Sequence, residues 1–278
     1  MSTAGDTSDS AADLLGLAVR VAREAGELIM SLRSAGVEVA DTKSSPVDVV
    51  TAADRACEEL MRGRLLGARP GDHFIGEESV QEASDHQPSS SGVTWIVDPI
   101  DGTVNYLYGL PHYAVSIAAA RDGEIVAGVV RSPVADLEYA AALGGGSTGN
   151  GVPLRVRDAA PVDRLLVSTG FSYESDIRAR QGRAVAEMLP RVRDVRRQGS
   201  CALDLCLVAA GQSDAYVEEG PHIWDFAAGA LIAREAGATV EVWTTEDGRD
   251  LVVAAPTSAW DDFSALVRSS GFLGDRPE

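Results

Sequence analysis

The sequence has few cysteines, few basic residues and no long apolar run. It contains three cysteines in 278 residues and no CxxC spacing, which argues against a disulfide framework or a structural zinc site. We therefore expect Cys57, Cys201 and Cys206 to be buried free thiols. Lysine and arginine number 24 against 42 acidic residues, so the formal net charge is −18. This excess repels nucleic acid and anionic membrane surfaces, and neither is expected as a direct partner.

Membrane and secretory signals are also missing. No apolar run approaches the roughly 20 residues that cross a bilayer. The polar, acidic N-terminus lacks the basic and apolar regions of a signal peptide. We therefore expect a cytoplasmic protein. Its 278 residues are enough for one large domain, or two small ones, with a substantial core.

Apolar periodicity predicts helices and strands that are intermixed along the chain. Helices are predicted at 11–33, 51–66, 177–189, 201–211 and 224–237. Strands are predicted at 114–120, 124–130, 137–143, 163–170 and 214–218 and directly after Gly237, with turns at 121–123 and 131–133. Thr51 followed by Asp54 is typical of a capping box at the start of the second helix. The pattern favours a layered α/β or α+β architecture.

Domain boundaries are only weakly indicated. Residues 1–10 and 271–278 are predicted to be tails, and 11–270 a single domain. A division into an N-terminal lobe, 11–150, and a C-terminal lobe, 151–270, is compatible with the sequence. The glycine-rich stretch GGGSTGNGVPL (144–154) has neither the lysine of a phosphate-binding loop nor a following helix. It predicts a hairpin around Asn150-Gly151 instead.

Two carboxylates follow an apolar strand in WIVDPIDGT, 95–103. Asp98 and Asp101 flank Pro99, which restricts the backbone, and Gly102 permits close backbone approach. A helix beginning here would offer the N–H groups of Gly102 and Thr103 to a phosphate oxygen. Two carboxylates beside an anion site require a cation between them, and their hard oxygens suit Mg²⁺.

Two further acidic positions allow a structural as well as a functional interpretation. Glu77 and Glu78 follow Gly76 at the end of a short apolar run, where they could simply be solvated turn residues. Asp225, in HIWDFAAG, could be a helix N-cap. A capping carboxylate can also turn an oxygen toward a metal, so the two roles are compatible.

Together these segments resemble the inositol monophosphatase family over roughly residues 11–255. The resemblance is carried by KSSPVDVVTAAD (43–54), FIGEES (74–79), WIVDPIDGTVNY (95–106), GSCALDLCLVAAG (199–211), DAYVE (214–218) and the WD pair at 224–225. The stretch VRDVRRQGSCALDLC is similar to actinobacterial members. The resemblance implies a layered αβαβα sandwich of the inositol monophosphatase and fructose-1,6-bisphosphatase type, usually a homodimer and sensitive to lithium.

The resemblance also implies a reaction and a set of metal ligands. The reaction is hydrolysis of a phosphate monoester by a metal-activated water, with two to three Mg²⁺ ions in each active site. Glu77, Asp98 and the Ile100 carbonyl would hold the first ion. Asp98, Asp101 and Asp225 would hold the second, while a weaker third ion would rest on Glu77. Thr103, with Glu77, would orient the attacking water.

Other residues are assigned by the resemblance to substrate binding or to support. Substrate contacts are implied for Asp101, Gly102, Thr103, Gly199, Ser200, Cys201, Glu218 and Asp225. Glu218 would bind ring hydroxyls of inositol. The family usually has a small residue where this chain has Cys201, which bears on substrate preference. Lys43, Thr51 and Asp54 would support the site, with Thr51 also interpretable as a helix cap alone.

Two alternatives to an inositol monophosphatase remain open. The same core could hydrolyse histidinol phosphate, fructose 1,6-bisphosphate or a 3′-phosphoadenosine nucleotide. A regulatory protein could also have kept the fold. The complete acidic set argues against loss of catalysis, because packed carboxylates without a cation are costly to keep.

Overall fold

Helices and strands alternate through the computed structural model, which describes residues 10–36, 39–42, 49–79, 91–158 and 160–274. The helices are α1 (Ala11–Ala35), α2 (Ala52–Ala68), α3 (Thr103–Tyr108), α4 (Ser175–Met188), α5 (Cys201–Ala209), α6 (Ile223–Glu235) and α7 (Trp260–Ser269). The strands are β1 (Val39–Thr42), β2 (Val49–Thr51), β3 (His73–Gly76), β4 (Val93–Asp101), β5 (Ala114–Arg121), β6 (Glu124–Ser132), β7 (Leu137–Ala142), β8 (Ser147–Gly149), β9 (Val152–Pro153), β10 (Leu166–Thr169), β11 (Asp194–Arg196), β12 (Ala215–Glu219), β13 (Ala238–Thr244) and β14 (Asp250–Pro256).

Two large sheets organise the described residues. The first has the order β3-β4-β5-β6-β7-β8-β9 and is antiparallel except for the parallel pair β3 and β4. The second has the order β11-β10-β12-β14-β13, in which β10 runs parallel to both of its neighbours. β1 and β2 form a separate antiparallel pair just before α2. The GEES and DPIDGT segments thus lie at the ends of β3 and β4, at one edge of the first sheet, and Asp225 lies on α6.

The helices form layers on and between these sheets. α1 and α2 cover one face of the first sheet, α5 and α6 lie between the two sheets, and α4 and α7 cover the second sheet. Alternation along β4 explains this placement, because successive side chains point to opposite faces. Trp95 and Val97 are buried with α1 and α2, whereas Ile96 is buried with α5 and α6. The predicted layered αβαβα sandwich is confirmed.

Most predicted elements are found, and the differences are a shifted turn and a few elements that were not predicted. The hairpin at Asn150-Gly151 forms as expected, with positive φ at both residues. The second predicted turn lies at 133–136, since Arg131 and Ser132 still pair with β7. No element was predicted after the strand at Gly237, where the structure has β14 and α7, and none was predicted at β11.

At each end, a described residue that was assigned to a predicted tail makes contacts with the folded domain. Ser10 is already the N-cap of α1, and its side chain accepts a hydrogen bond from the Asp13 N–H. Phe272 is 2% exposed and packs into the core between α7 and the second sheet. The lobe division at 150 stays a prediction. Helices α5 and α6 bury residues against strands of both sheets, so the two halves share one core.

None of the described helices is long and apolar enough to span a membrane.

Gly128→Ala should destabilise the protein, because α6 packs directly on β6 at this position. A Cβ on Gly128 would lie 3.0 Å from Ala228 Cα and 3.1 Å from its carbonyl oxygen. Overpacking of this kind costs about 1–3 kcal/mol of unfolding free energy. Gly63→Ala on α2 is the control, since its Cβ would meet nothing within 4 Å and should stabilise by up to about 1 kcal/mol. Urea denaturation measures both, and equal effects of the two variants would contradict the packing account.

Candidate active site

A β-bulge at the end of β4 brings two aspartates to the same side of the strand. Residues three apart in a regular strand point to opposite faces. Here Asp98 pairs with Ser116 and Asp101 pairs with Ala114, so β4 contains one extra residue between them. The insertion restores a common orientation for Asp98 and Asp101. Proline is tolerated at a bulge because no ladder hydrogen bond is needed there, which explains Pro99.

Asp101 connects the end of β4 to the start of α5. Its Oδ2 accepts hydrogen bonds from Ser200 Oγ at 2.5 Å and from the Ala202 N–H at 2.7 Å. Ser200 is also the N-cap of α5, with its hydroxyl accepting from the Leu203 N–H. Asp101 therefore lies at the positive end of the α5 dipole, where a carboxylate is stabilised.

Two glycines let the backbone of α3 approach the segment before α5. Gly102 has φ of 95°, and a Cβ there would lie 2.9 Å from the carbonyl oxygens of both Gly199 and His112. Gly199 has φ of 90°, and its Cβ would lie 2.9 Å from Asn105 Nδ2. Only glycine fits such a left-handed, crowded backbone. The backbone therefore approaches other atoms closely at Gly102, as predicted, and those atoms are main-chain carbonyl oxygens of the protein itself.

Asn105 is a site-forming residue that the sequence analysis missed. Its Nδ2 donates to the carbonyl oxygens of His112 at 2.6 Å and Gln198 at 2.8 Å. The residue is 5% exposed, so these bonds are made away from water. They tie α3 to the segment that carries Gly199 and Ser200. Its position in the GTVNY motif, inside a short helix, was the available signal.

Glu77 reaches the site from the neighbouring strand. β3 runs parallel to β4 with Gly76 opposite Val97, and the Glu77 N–H donates to the Val97 carbonyl oxygen at 3.3 Å. Because Gly76 pairs with Val97, the residues that follow them, Glu77 and Asp98, lie side by side. Glu77 lies close enough to Asp98 for its charge to raise the pKa of the Asp98 carboxyl group.

Asp225 completes the acidic group from α6. It lies in the first turn of the helix, and its Oδ2 accepts a hydrogen bond of 2.6 Å from the His222 N–H. His222 occupies the N-cap position, so the interpretation of Asp225 as the N-cap is wrong. The carboxylate caps the helix from inside the first turn, which leaves it free to face Asp98 as well.

Burial and repulsion by neighbouring charges raise the pKa values of the three aspartates. Burial raises the pKa of Asp98 well above its usual range, and the charges of the other three acids add to this. Burial also raises the pKa of Asp101, to about 7, against the opposing hydrogen bonds from Ser200 and Ala202. Burial raises the pKa of Asp225 most, and the charges of Glu77 and Asp101 raise it further. No salt bridge between described residues includes Asp98, Asp101 or Asp225.

This donor set fits hard divalent cations, although the side chains are not gathered around one point. Within the described ranges, no three or more histidine, cysteine, aspartate or glutamate side chains converge as a formed metal site. The physical reason is that each aspartate turns one oxygen to a main-chain N–H: Asp98 to Ile100, Asp101 to Ala202, Asp225 to His222. Carboxylate oxygens without a positive partner remain the ligand chemistry that Mg²⁺ selects.

Thr103 lies between the acidic group and α2. Its hydroxyl is 3.1 Å from the Ile100 carbonyl oxygen and 3.3 Å from Asp54 Oδ1, and it can donate to either. Asp54 is 1% exposed, and its Oδ2 accepts from both the N–H and the hydroxyl of Thr51. The predicted capping box of Thr51 and Asp54 is therefore confirmed, and the same Asp54 carboxylate also reaches the site.

The remaining implied substrate residues lie on the second sheet and at the start of α5. Glu218 of β12 accepts a 2.8 Å hydrogen bond from the Tyr216 hydroxyl and packs directly over Gly170. Its charge raises the pKa values of both Asp101 and Cys201. Cys201 is 6% exposed, and burial raises the pKa of its thiol. All three cysteines are buried and free, as predicted. Lys43 lies outside the described residues.

Comparisons with known proteins agree with this arrangement. A sequence model of the inositol monophosphatase family matches residues 11–269. An inositol-1-monophosphatase of Mycobacterium leprae is 48% identical over 248 residues, covering 86% of this chain and 85% of that protein. The solved structure of Mycobacterium tuberculosis SuhB has a TM-score of 0.81 at 40% identity, covering 95% of this chain and 99% of that one.

This chain belongs to the inositol monophosphatase family. Both the resemblance and the expectation of a phosphatase are confirmed. Another member, a Nus factor SuhB of Pasteurella multocida, is 38% identical over 229 residues, covering 82% of this chain and 84% of that protein. Membership gives the fold and the class of enzyme, while the metal ligands and substrate contacts named above stay predictions.

The raised pKa of Asp101 predicts a pH-dependent loss of stability in this family member when divalent metal is removed. The unfolded carboxyl has a pKa of about 3.9, whereas the folded one has about 7. Between these values the folded state binds more protons than the unfolded state, so its stability falls as pH rises. The asparagine of Asp101→Asn cannot ionise, so this variant should not lose stability in this way. The loss in the wild type should be up to about 1.4 kcal/mol of unfolding free energy per pH unit.

Urea denaturation in a chelating buffer from pH 4 to pH 8 measures the effect. The unfolding free energy of the wild type minus that of Asp101→Asn should decrease as pH rises. Asp262→Asn, at an exposed position in the first turn of α7, should run parallel to the wild type. A difference between wild type and Asp101→Asn that stays constant or grows with pH would contradict the assignment.

Proposed function

We propose that the protein is a Mg²⁺-dependent phosphomonoesterase that hydrolyses a myo-inositol monophosphate to inositol and phosphate. The observation that carries the proposal is the acidic group formed by Glu77, Asp98, Asp101 and Asp225, in which burial and neighbouring charges raise the pKa values of the three aspartates. The activity named for the Mycobacterium leprae relative supports inositol monophosphate as substrate.

The ligands for metal come from three elements. Glu77 follows β3, while Asp98, Asp101 and the Ile100 carbonyl come from the bulge of β4, and Asp225 comes from α6. We expect two to three ions on this set, with Asp98 shared between two of them. Bound Mg²⁺ would lower the pKa of a water molecule to give a nucleophile near neutral pH, and would stabilise the leaving oxygen.

Thr103 and Asp54 are placed to orient that water and accept its proton. The Thr103 hydroxyl can donate to Asp54 Oδ1 and accept from a water on its other side. Burial raises the pKa of Asp54 to about 7, and the hydrogen bonds from Thr51 oppose this rise. A carboxylate with this pKa can take up a proton near neutral pH. Glu77 would orient the water from the opposite side.

Glu218 and the start of α5 would hold the alcohol part of the substrate. The Tyr216 hydroxyl fixes one oxygen of Glu218 and leaves the carboxylate able to accept from ring hydroxyls. Cys201, at the first position of α5, lies close enough to Glu218 for the glutamate's charge to raise the thiol pKa. We also propose a cytoplasmic homodimer whose activity lithium inhibits.

A regulatory role is the second candidate function. It is favoured by one specific observation, the Pasteurella multocida relative named as a Nus factor. The same residues could bind metal in both cases, so the two functions are compatible. Other phosphate esters, namely histidinol phosphate, fructose 1,6-bisphosphate and 3′-phosphoadenosine nucleotides, remain alternative substrates of the same centre.

Phosphate release from a panel of these esters tests the proposed function. With Mg²⁺ present, inositol monophosphates should be hydrolysed faster than the other three classes, and a chelator should abolish turnover because the nucleophile requires metal. Lithium added to the Mg²⁺ assay should lower the rate. Slow release from every inositol phosphate, beside fast release from another ester, would replace the substrate named here.

Asp98→Asn identifies the centre responsible for this turnover. The substitution removes a charge shared by two ions and should lower kcat at least about a hundredfold. Asp262→Asn is the matched control and should retain full activity, because Asp262 is exposed on α7. Unchanged phosphate release by Asp98→Asn would show that the metal assignment is wrong.

A further inference from the structure

Glu58 is a buried acid on α2 that the proposed mechanism does not use. It follows Asp54 by one helical turn, so both side chains lie on the same face of α2. Asp54 faces Thr103, whereas Glu58 faces the turn that carries Glu77. Glu58 is 4% exposed, although a buried carboxylate needs partners to be tolerated.

The partners of Glu58 belong to the turn after β3 and to α2 itself. Glu58 Oε2 accepts a 2.7 Å hydrogen bond from the Glu78 N–H. Arg62 lies one further turn along α2, with its guanidinium 3.8 Å from Glu58 Oε1. The same guanidinium stacks on the Phe74 ring, 4.2 Å from its centre. Arg62 thus supplies the positive charge for Glu58 and contacts β3 as well.

Glu58 also explains why Gly76 is a glycine. Gly76 has an ordinary φ, so backbone conformation does not demand glycine there. A Cβ on Gly76 would overlap the Glu58 carboxyl group, lying 2.7 Å from Oε1 and closer still to Cδ and Oε2. The carboxylate therefore occupies the space where a side chain would be. It contacts the residues on both sides of Glu77.

We propose that Glu58 is a positioning residue for the metal ligand Glu77, holding the 76–78 turn at the level of Asp98. This inference rests on the proposed function, since it assumes that Glu77 binds metal. Glu58 contacts the residues on both sides of Glu77, and Arg62 provides the opposite charge 3.8 Å from Glu58 Oε1. Supporting residues of this kind typically change metal affinity 10- to 100-fold when removed.

Manganese binding to the full-length protein, measured by electron paramagnetic resonance, tests the inference apart from turnover. Glu58→Ala should weaken Mn²⁺ binding about tenfold or more. The KM of Glu58→Ala for the substrate at saturating Mg²⁺ should be unchanged, because Glu58 lies on α2 in an outer layer whereas Glu218 lies on β12 of the second sheet. Glu58→Gln retains an oxygen acceptor for the Glu78 N–H and should restore affinity to within about threefold. Glu59→Ala, at the exposed neighbouring position, should bind Mn²⁺ like the wild type.

The space between Glu58 and Gly76 provides a second, independent test. Gly76→Ala should weaken Mn²⁺ binding in the wild type, because the methyl group displaces the Glu58 carboxylate. In a Glu58→Ala background the methyl group has room and should cause no further loss. The two effects are then strongly non-additive, as expected for groups that share one contact.

The possible outcomes separate this inference from the proposed function. Wild-type protein that binds no Mn²⁺ overturns both. Wild-type protein that binds Mn²⁺, with Glu58→Ala binding equally well, overturns the positioning role alone. A Glu58→Ala variant that loses thermal stability without losing Mn²⁺ affinity would show a purely structural role and overturns the inference too. Additive effects of Glu58→Ala and Gly76→Ala would contradict the shared contact.

Discussion

Repulsion among buried carboxyl groups is the constraint around which the site is built. Asp98 and Asp101, at the end of β4, are buried, and Glu77 and Asp225 lie beside them after β3 and in the first turn of α6. Glu77, Asp101 and Asp225 each raise the pKa of Asp98, and the salt bridges of the described residues do not include the three aspartates. A group of like charges in such surroundings is stable only if protons or cations reduce its charge. A divalent cation does so while leaving every oxygen available as a ligand.

The rest of the structure holds these acids in place against that repulsion. The bulge of β4 turns Asp98 and Asp101 to one side, and the N-terminus of α5 stabilises Asp101. Gly102 and Gly199 allow α3 to approach the segment before α5, and Asn105 fastens the two together. The same segments come from both halves of the chain. The site therefore exists only when the first sheet and the helices between the sheets have packed.

The sequence predicted the layered fold and the acidic segments, because both depend on patterns of residues that are close together in the chain. Apolar periodicity located most helices and strands, and the DPIDGT and GEES segments located the carboxylates. The features that it did not predict depend on contacts between residues distant in the chain. Nothing near Glu58 indicates that its carboxylate meets Gly76, and nothing near Asp101 indicates Ser200. The bulge was not predicted either, because the register of β4 depends on its pairing with β5. β14 and α7 lie in a stretch whose apolar residues were given no element.

Proton release on metal binding is the most direct measurement of whether this acidic group exists to receive a cation. Calorimetric titration of the metal-free protein with Mg²⁺, in two buffers of different ionisation enthalpy, gives the number of protons released. Carboxyl groups with raised pKa values must ionise before they can coordinate, so binding near pH 6 should release protons, and fewer should be released near pH 8. Binding without proton release at pH 6, or no binding of Mg²⁺ at either pH, would contradict the account.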